Sequence, residues 1–290
     1  MSVLMIHGIG QENATKEQLL KIWCDSLNTA SPGILNGHEI DMAYYGTILA
    51  DWTSGKSAIS MGAESVSIDI TDSSEISFFN ESFSEAIKAL NITEDMISEH
   101  TNNDNDKAVP MDSFIARRVV GMAGAIEKIS PFEGEVFLRI VKQAYTYLSS
   151  QGASTAVDNI VKPLLEKAPS ILITHSLGTV IAFKLLREME ANGTKVEIPL
   201  FITLGSPLGV EAFKKKLGPP RRKPSFVKNW FNFYDPSDLV ALGRNLDATV
   251  FGPGIENDGT VDNFTDNAHG IIGYLPHHGV INVIKNHPGE

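Results

Sequence analysis

Ser176 stands at the junction of an apolar segment, residues 170–174, and a segment with helical spacing. In a turn from strand to helix, a serine hydroxyl lies above the end of a sheet and beside a helix N-terminus, where it can act as a nucleophile. Gly178 is the small residue that close packing of the helix on the strand requires. Thr174 stands where the usual Gly-x-Ser-x-Gly pattern has glycine. A serine that only caps the helix is the alternative, but the flanking pattern favours a nucleophile.

Two aspartates are candidates for the acid of such a site. A serine needs a base to take its proton, and the base needs an acid that orients it. Asp235 and Asp238 follow the apolar segment 227–234, which respects the order serine, acid, histidine along the chain. Asp235 could equally cap a helix that begins at Pro236, with Asp238 as a favourable first-turn charge.

His269 is the candidate base because it lies in a polar loop just before the last helical segment, residues 279–285. His277 and His278 compete for this role, but they stand where that helix is expected to begin. His175 directly precedes the candidate nucleophile, and we expect its side chain to point elsewhere and to be structural.

The elements that must position these residues read as alternating strands and helices. Near-continuous apolar strand signals are typical of parallel strands buried on both faces, and the alternation predicts an α/β fold with a doubly wound, mostly parallel sheet. The strand signals occupy residues 3–6, 39–45, 170–174, 198–204 and 227–234. Residues 47–130 break the rhythm and are rich in acidic residues, which predicts a helical, acidic, cap-like insertion within a single domain spanning 1–290.

Composition limits the classes of function. The formal net charge of the 290-residue chain is −11, which argues against nucleic-acid binding. A basic cluster, Lys214–Lys228, predicts either a solvated loop after a helix or a weak contact with an anionic membrane surface. The first residues lack a signal-peptide pattern, the sole cysteine, Cys24, cannot form an internal disulfide, and we expect a cytoplasmic protein.

Five short segments combine small, polar and potentially catalytic residues. They are His-Gly-Ile-Gly at 7–10, Asp-Met-Ala-Tyr-Tyr-Gly at 41–46, Thr-His-Ser-Leu-Gly-Thr at 174–179, Leu-Gly-Ser-Pro-Leu-Gly at 204–209 and Asp-Pro-Ser-Asp-Leu-Val at 235–240. Together these segments resemble bacterial α/β-hydrolases of the lipase/esterase superfamily. The resemblance covers both ends of the chain but not roughly residues 47–130.

The resemblance implies the α/β-hydrolase fold and a triad of Ser176, Asp238 and His269, with Asp238 preferred over Asp235. It also implies an oxyanion hole, the group of backbone N–H donors that stabilises a developing negative charge. Its donors would be Ile9 or Gly10 together with Leu177, although a tight strand exit is the alternative explanation for the loop at 7–10. Ser206 resembles a structural serine beside such a site.

The expected function is that of a serine hydrolase that cleaves a carboxylic ester, from a small molecule or a lipid, through an acyl-enzyme. No cofactor and no metal are expected. A thioesterase or amidase with the same triad is an alternative, and so is a catalytically silent or partner-activated binding module. These alternatives stay open because one fold serves many functions.

Overall fold

The computed structural model describes residues 1–54, 72–102, 114–130, 133–263 and 267–287. Its centre is a six-stranded, all-parallel sheet with the strand order β2-β1-β3-β4-β5-β6. The strands are Ser2–Ile6 (β1), Glu39–Ala43 (β2), Ile171–His175 (β3), Ile198–Leu204 (β4), Val227–Phe233 (β5) and Glu256–Asp258 (β6). The predicted α/β class and parallel sheet are therefore confirmed.

Helices cover both faces of this sheet. They are Lys16–Ala30 (α1), Gly46–Ser54 (α2), Ser73–Ala89 (α3), Glu94–Asn102 (α4), Phe114–Ile129 (α5), Glu133–Ser149 (α6), Gln151–Leu165 (α7), Leu177–Ala191 (α8), Glu211–Leu217 (α9), Ile271–Tyr274 (α10) and His278–Asn286 (α11). Strand side chains alternate between the faces, so that Val3 and Met5 pack with α1, α10 and α11 whereas Leu4 and Ile6 pack with the remaining core.

Local sequence explains the first helix well. Thr15 and Gln18 form a capping box, in which each side chain accepts a hydrogen bond from the other residue's backbone N–H. Leu19, Trp23 and Leu27 then recur at four-residue spacing and are fully buried against the sheet. This spacing fixes which face of α1 covers β1 and β2.

The strand order places a topological switch point between β1 and β3. The chain leaves β1 toward β2 on one side and returns to β3 on the other side, so the direction of winding changes between β1 and β3. Ligands of open parallel sheets bind at such a switch point, beyond the carboxyl ends of the strands. His7 follows β1 there, and Ser176 follows β3.

Within the predicted insertion, 47–130, the described residues are largely helical and form most of α2 and all of α3, α4 and α5. Residues 55–71 and 103–113 lie outside the described part. Of the basic cluster Lys214–Lys228, the first three lysines form the last turn of α9, whereas residues 218–226 lie in a loop after that helix as expected, and Lys228 lies on β5. Among the described residues, no helix is long and apolar enough to cross a membrane.

Candidate active site

Ser176 lies in a strained turn between β3 and α8. Its backbone has φ 53° and ψ −129°, a conformation that residues other than glycine rarely adopt. A Cβ on Gly178 would lie only 2.4 Å from the carbonyl oxygen of His7, so only glycine lets α8 approach β1 this closely. A Cβ on Gly8 would likewise lie 2.7 Å from the Cβ of Ser176. The two glycines hold the serine turn against the loop after β1.

Thr174, which departs from the usual motif, is accommodated inside the sheet. Its side chain is fully buried, and its hydroxyl donates a 3.0 Å hydrogen bond to the carbonyl oxygen of Ile202 on β4. Position 174 therefore has room for a side chain. A threonine there is compatible with the strained backbone conformation of Ser176.

Asp238 and His269 form a buried pair. Nδ1 of His269 lies 2.8 Å from Oδ2 of Asp238, and the two residues are 6% and 1% exposed. Burial alone would raise the pKa of Asp238, but His269, the Tyr274 hydroxyl and the Val240 N–H outweigh it and hold that pKa below its usual value. Asp238 therefore stays ionised and keeps the proton of His269 on Nδ1, which leaves Nε2 to accept a proton.

Ser176 and His269 are linked indirectly through the ends of β3 and β4, and their Oγ and Nε2 atoms do not hydrogen-bond to each other. The Ser176 N–H donates to the carbonyl oxygen of Leu204 at 3.0 Å. Gly205, which follows Leu204, packs against the pair formed by Asp238 and His269. A Cβ on Gly205 would lie 2.8 Å from Asp238 Oδ2 and 3.1 Å from His269 Nδ1. Oγ of Ser176 and Nε2 of His269 are both buried, and neither has a hydrogen-bond partner within the described chain.

His175 lies against the candidate base instead of pointing away from it. Its ring centroid is 4.7 Å from that of His269, and its Nε2 donates to the His269 carbonyl oxygen at 2.9 Å. Burial, together with the neighbouring His269, lowers the pKa of His175 to about 3. The neutral ring therefore holds the backbone of the base in place.

The loop after β1 carries two of the predicted oxyanion donors, Ile9 and Gly10. His7 anchors this loop, because its Nε2 accepts from the Tyr45 N–H at 3.0 Å while its Nδ1 donates to the Gly8 carbonyl oxygen at 2.6 Å. Burial lowers the pKa of His7 to about 4, so the ring stays neutral. Beyond it, Ile9 is half-buried and Gly10 has φ 74°.

Leu177, the third predicted donor, is buried at the first position of α8. The first N–H groups of a helix lack partners within the helix and can serve an anion. The predicted donors therefore follow two neighbouring strands. Ile9 and Gly10 lie in the loop after β1, and Leu177 begins the helix after β3.

The competing candidates make other contacts. Asp235 accepts from the N–H and hydroxyl of Ser237 and, at 2.7 Å, from the N–H of Asn263. His277 caps α11 as expected, and its ring lies 4.3 Å from that of His278. In the part of the chain that the structure describes, no group of histidine, cysteine or carboxylate side chains is arranged to hold a metal.

A small pocket adjoins the buried pair. It is lined by Glu133, Val136, Asp238, Leu239, Val240, Asn267 and His269. Glu133 reaches it from the first turn of α6. Burial, with the negative charge of Asp238 as the next cause, raises the pKa of Glu133 to about 7.

The basic cluster Lys214–Lys228 is largely engaged within the chain. Its contacts run from Lys214 to Glu211, Lys215 to Glu81, Lys216 to Ser74, Arg221 to the Lys214 carbonyl, Arg222 to Glu190, Lys223 to the Lys228 carbonyl, and Lys228 to Glu197. Contact with an anionic membrane surface stays a prediction.

Three residues of the site were not predicted from sequence, namely Tyr274, Gly205 and Glu133. Gly205 lies in the segment 204–209 considered above and Tyr274 lies between His269 and the predicted last helix, but no local pattern marks either as a neighbour of Asp238. Glu133 opens a helix, where an acidic residue is common for reasons unrelated to a site.

Comparison with known proteins gives no matching family model, no significantly similar curated protein and no significantly similar solved structure. The proposed function therefore depends on the geometry of the site.

Proposed function

We propose that this protein is a serine hydrolase of the α/β-hydrolase type that cleaves a carboxylic ester through an acyl-enzyme on Ser176. The observation that carries the proposal is the strained serine turn at the switch point of the sheet, next to the buried pair of Asp238 and His269. A serine, a base and an acid in this order and proximity are the parts that acyl transfer needs.

Each group has a role in the proposed reaction. Oγ of Ser176 attacks the carbonyl carbon of the ester while Nε2 of His269 takes its proton, and Asp238 stabilises the imidazolium that forms. The backbone N–H groups of Leu177 and of Ile9 or Gly10 donate to the oxyanion. His269 then protonates the leaving alcohol, and water completes the cycle by the same steps.

The helices described within the predicted insertion, 47–130, are proposed to cap the site. Within its described part, α2, α3 and α5 pack against α6, whose first turn lines the pocket beside His269. Burial of the Ser176 hydroxyl also favours a second candidate function, a hydrolase that a partner or an apolar surface must open before it turns over.

Labelling with a fluorophosphonate tests the proposal. We expect the probe to label the wild-type protein but not Ser176→Ala, and we expect p-nitrophenyl esters from acetate to palmitate to show the acyl range. Ser206→Ala is the matched control, because Ser206 is also buried near the end of β4 but its hydroxyl contacts Thr179 and the Leu208 N–H.

Labelling that persists in Ser176→Ala would rule out Ser176 as the nucleophile, and labelling retained in Ser206→Ala shows that loss of a nearby buried hydroxyl is not enough to abolish it. If detergent micelles or vesicles are needed for labelling of the wild type, the second candidate function is favoured. No labelling under any of these conditions would contradict the hydrolase assignment.

A further inference from the structure

Two adjacent tyrosines directly after β2, Tyr44 and Tyr45, contact the loop that follows β1. Tyr45 is buried and makes three contacts with His7. Its N–H donates to Nε2 of His7 at 3.0 Å, its hydroxyl donates to the His7 carbonyl oxygen, and the two rings stack with their centroids 4.2 Å apart. Burial raises the pKa of Tyr45 above its usual value, so the hydroxyl keeps its proton and stays a donor.

Tyr44 holds the far end of the same loop. Its hydroxyl lies 2.9 Å from the carbonyl oxygen of Gln11 and 2.5 Å from that of Ala14. Its ring lies 5.3 Å from the ring of His7. The two tyrosines therefore hold the loop 7–14 on both sides of the predicted oxyanion donors.

The contacts of His7 set the direction of the Ile9 N–H. The peptide between Gly8 and Ile9 is trans, and in a trans peptide the carbonyl and the N–H point in opposite directions. The Gly8 carbonyl oxygen accepts from Nδ1 of His7 at 2.6 Å, so the Ile9 N–H points away from the His7 ring. Nδ1 carries the proton of the neutral ring because Nε2 accepts the N–H of Tyr45.

The same peptide lies beside the proposed nucleophile. A Cβ on Gly8 would lie 3.2 Å from Oγ of Ser176. Among the described residues, the Ile9 N–H has no hydrogen-bond partner. An oxyanion donor acts only when it lies about 3 Å from the oxyanion, so a small shift of His7 would change how well this N–H is aligned.

We propose that Tyr44 and Tyr45 are positioning residues of the oxyanion hole, which hold the loop 7–14 so that the Ile9 N–H can donate to the oxyanion. The inference rests on the proposed ester hydrolysis, in which negative charge develops on the ester carbonyl oxygen as Ser176 attacks. The bound ester lacks this charge. Loss of either hydroxyl should therefore lower kcat and leave KM nearly unchanged.

Tyr45→Phe and Tyr44→Phe test the proposal, because each variant keeps its ring and loses only the hydroxyl. The kcat and KM for p-nitrophenyl butyrate are measured together with the Ki of butyl trifluoromethyl ketone, which forms an anionic adduct with an active serine and so resembles the transition state. Fluorophosphonate titration to the end point normalises each rate to the concentration of active serine.

Tyr145→Phe is the matched control for this experiment. Tyr145 is also a buried tyrosine, but its hydroxyl donates at 2.6 Å to Asp72, the residue that caps α3. The control therefore removes a buried hydroxyl without changing a contact of the loop 7–14.

We expect kcat in Tyr45→Phe to fall roughly tenfold, which is less than the loss of roughly a hundredfold or more that follows removal of a whole oxyanion donor. The Ki of the ketone should rise by the same factor as kcat/KM falls. Tyr44→Phe should show the same pattern with a smaller effect, because Tyr44 holds the loop beyond Ile9. Tyr145→Phe should keep all three wild-type constants.

Wild-type kcat and Ki in a folded Tyr45→Phe would overturn the inference and leave the proposed function intact. A lowered kcat with an unchanged Ki would also overturn it, because the loss would then arise outside the oxyanion hole. Equal losses in Tyr145→Phe would overturn it too, since they would show a general loosening of the fold.

Circular dichroism shows whether each variant folds. If Tyr45→Phe does not fold, Tyr44→Phe decides, because Tyr44 is partly exposed, and wild-type constants in that variant would overturn the inference. Absence of both hydrolysis and fluorophosphonate labelling in the wild type would overturn the function and the inference together.

Discussion

The hydroxyl of Tyr274 donates a 2.6 Å hydrogen bond to Oδ2 of Asp238, the same carboxylate oxygen that lies 2.8 Å from Nδ1 of His269. The tyrosine is fully buried, and its hydroxyl also accepts from the Asp235 N–H at 3.0 Å. One side chain from α10 therefore orients the carboxylate and ties together both aspartates that follow β5.

Tyr274→Phe should weaken the site without removing any reacting group. The carboxylate loses a charge-assisted donor and the Asp235 N–H loses its acceptor, so we expect the free energy of unfolding to fall by about 1–3 kcal/mol. We also expect kcat for ester hydrolysis to fall roughly tenfold, since Asp238 then orients His269 less firmly. Urea denaturation and steady-state kinetics measure the two effects.

Tyr234→Phe is the control, because the Tyr234 hydroxyl bonds to Asn245 away from the site. Equal kinetic effects in the two variants would contradict a role for Tyr274 in orienting Asp238.

Asp238→Asn should lower turnover far more than Asp235→Asn. An amide at position 238 can hold the imidazole in the wrong tautomer, and we expect a loss of roughly 10³- to 10⁴-fold in kcat. Asp235 instead accepts from Ser237 and Asn263, so its variant should mainly lose stability. Rates of p-nitrophenyl ester hydrolysis and melting temperatures separate the two outcomes, and the reverse ranking of rates would transfer the acid role to Asp235.

Most of the sheet could be predicted from the sequence because its central strands, β1, β3 and β4, are buried on both faces. The segment predicted at 198–204 coincides with β4, and every residue of β3 is buried. A short, polar strand at the edge of the sheet, β6, could not be predicted. β6 has only Glu256, Asn257 and Asp258, which look like a turn until they pair with β5.

The site was predictable only where a local pattern marks a residue. The apolar segment before Ser176 and the small residue after it identify the serine turn. The contacts of Tyr274 and Gly205 with Asp238 join positions more than 30 residues apart, and only tertiary structure creates them. The choice between Asp235 and Asp238 has the same origin, since both follow β5 and only one faces His269.

Thr174→Gly would restore the usual motif, yet we expect it to destabilise the protein. The variant loses a buried hydroxyl bonded to Ile202, loses buried methyl surface and gains backbone freedom in the unfolded chain, which together amount to about 2–4 kcal/mol. Thr174→Ser keeps the hydroxyl and should lose less, and fluorophosphonate labelling of Ser176 should persist in both. Urea denaturation that gave the same stability for Thr174→Gly and the wild type would contradict the structural role of this threonine.

Glu133→Gln should become more stable than the wild type as the pH rises. The pKa of Glu133 is raised from 4.5 to about 7 in the folded chain, so below 4.5 both states are protonated and the two proteins should be equally stable. Between pH 4.5 and 7 the unfolded wild type loses its proton first, which favours unfolding. Full linkage would give about 3 kcal/mol, and solvent screening of this half-buried group reduces the expected difference to about 1–2 kcal/mol.

Urea denaturation of both proteins at pH 4.5 and pH 8 measures this difference. Glu135→Gln should follow the wild type at both pH values, since its side chain is exposed. If the stabilities of Glu133→Gln and the wild type change in parallel between the two pH values, the carboxyl group of Glu133 is not held in the buried environment beside Asp238.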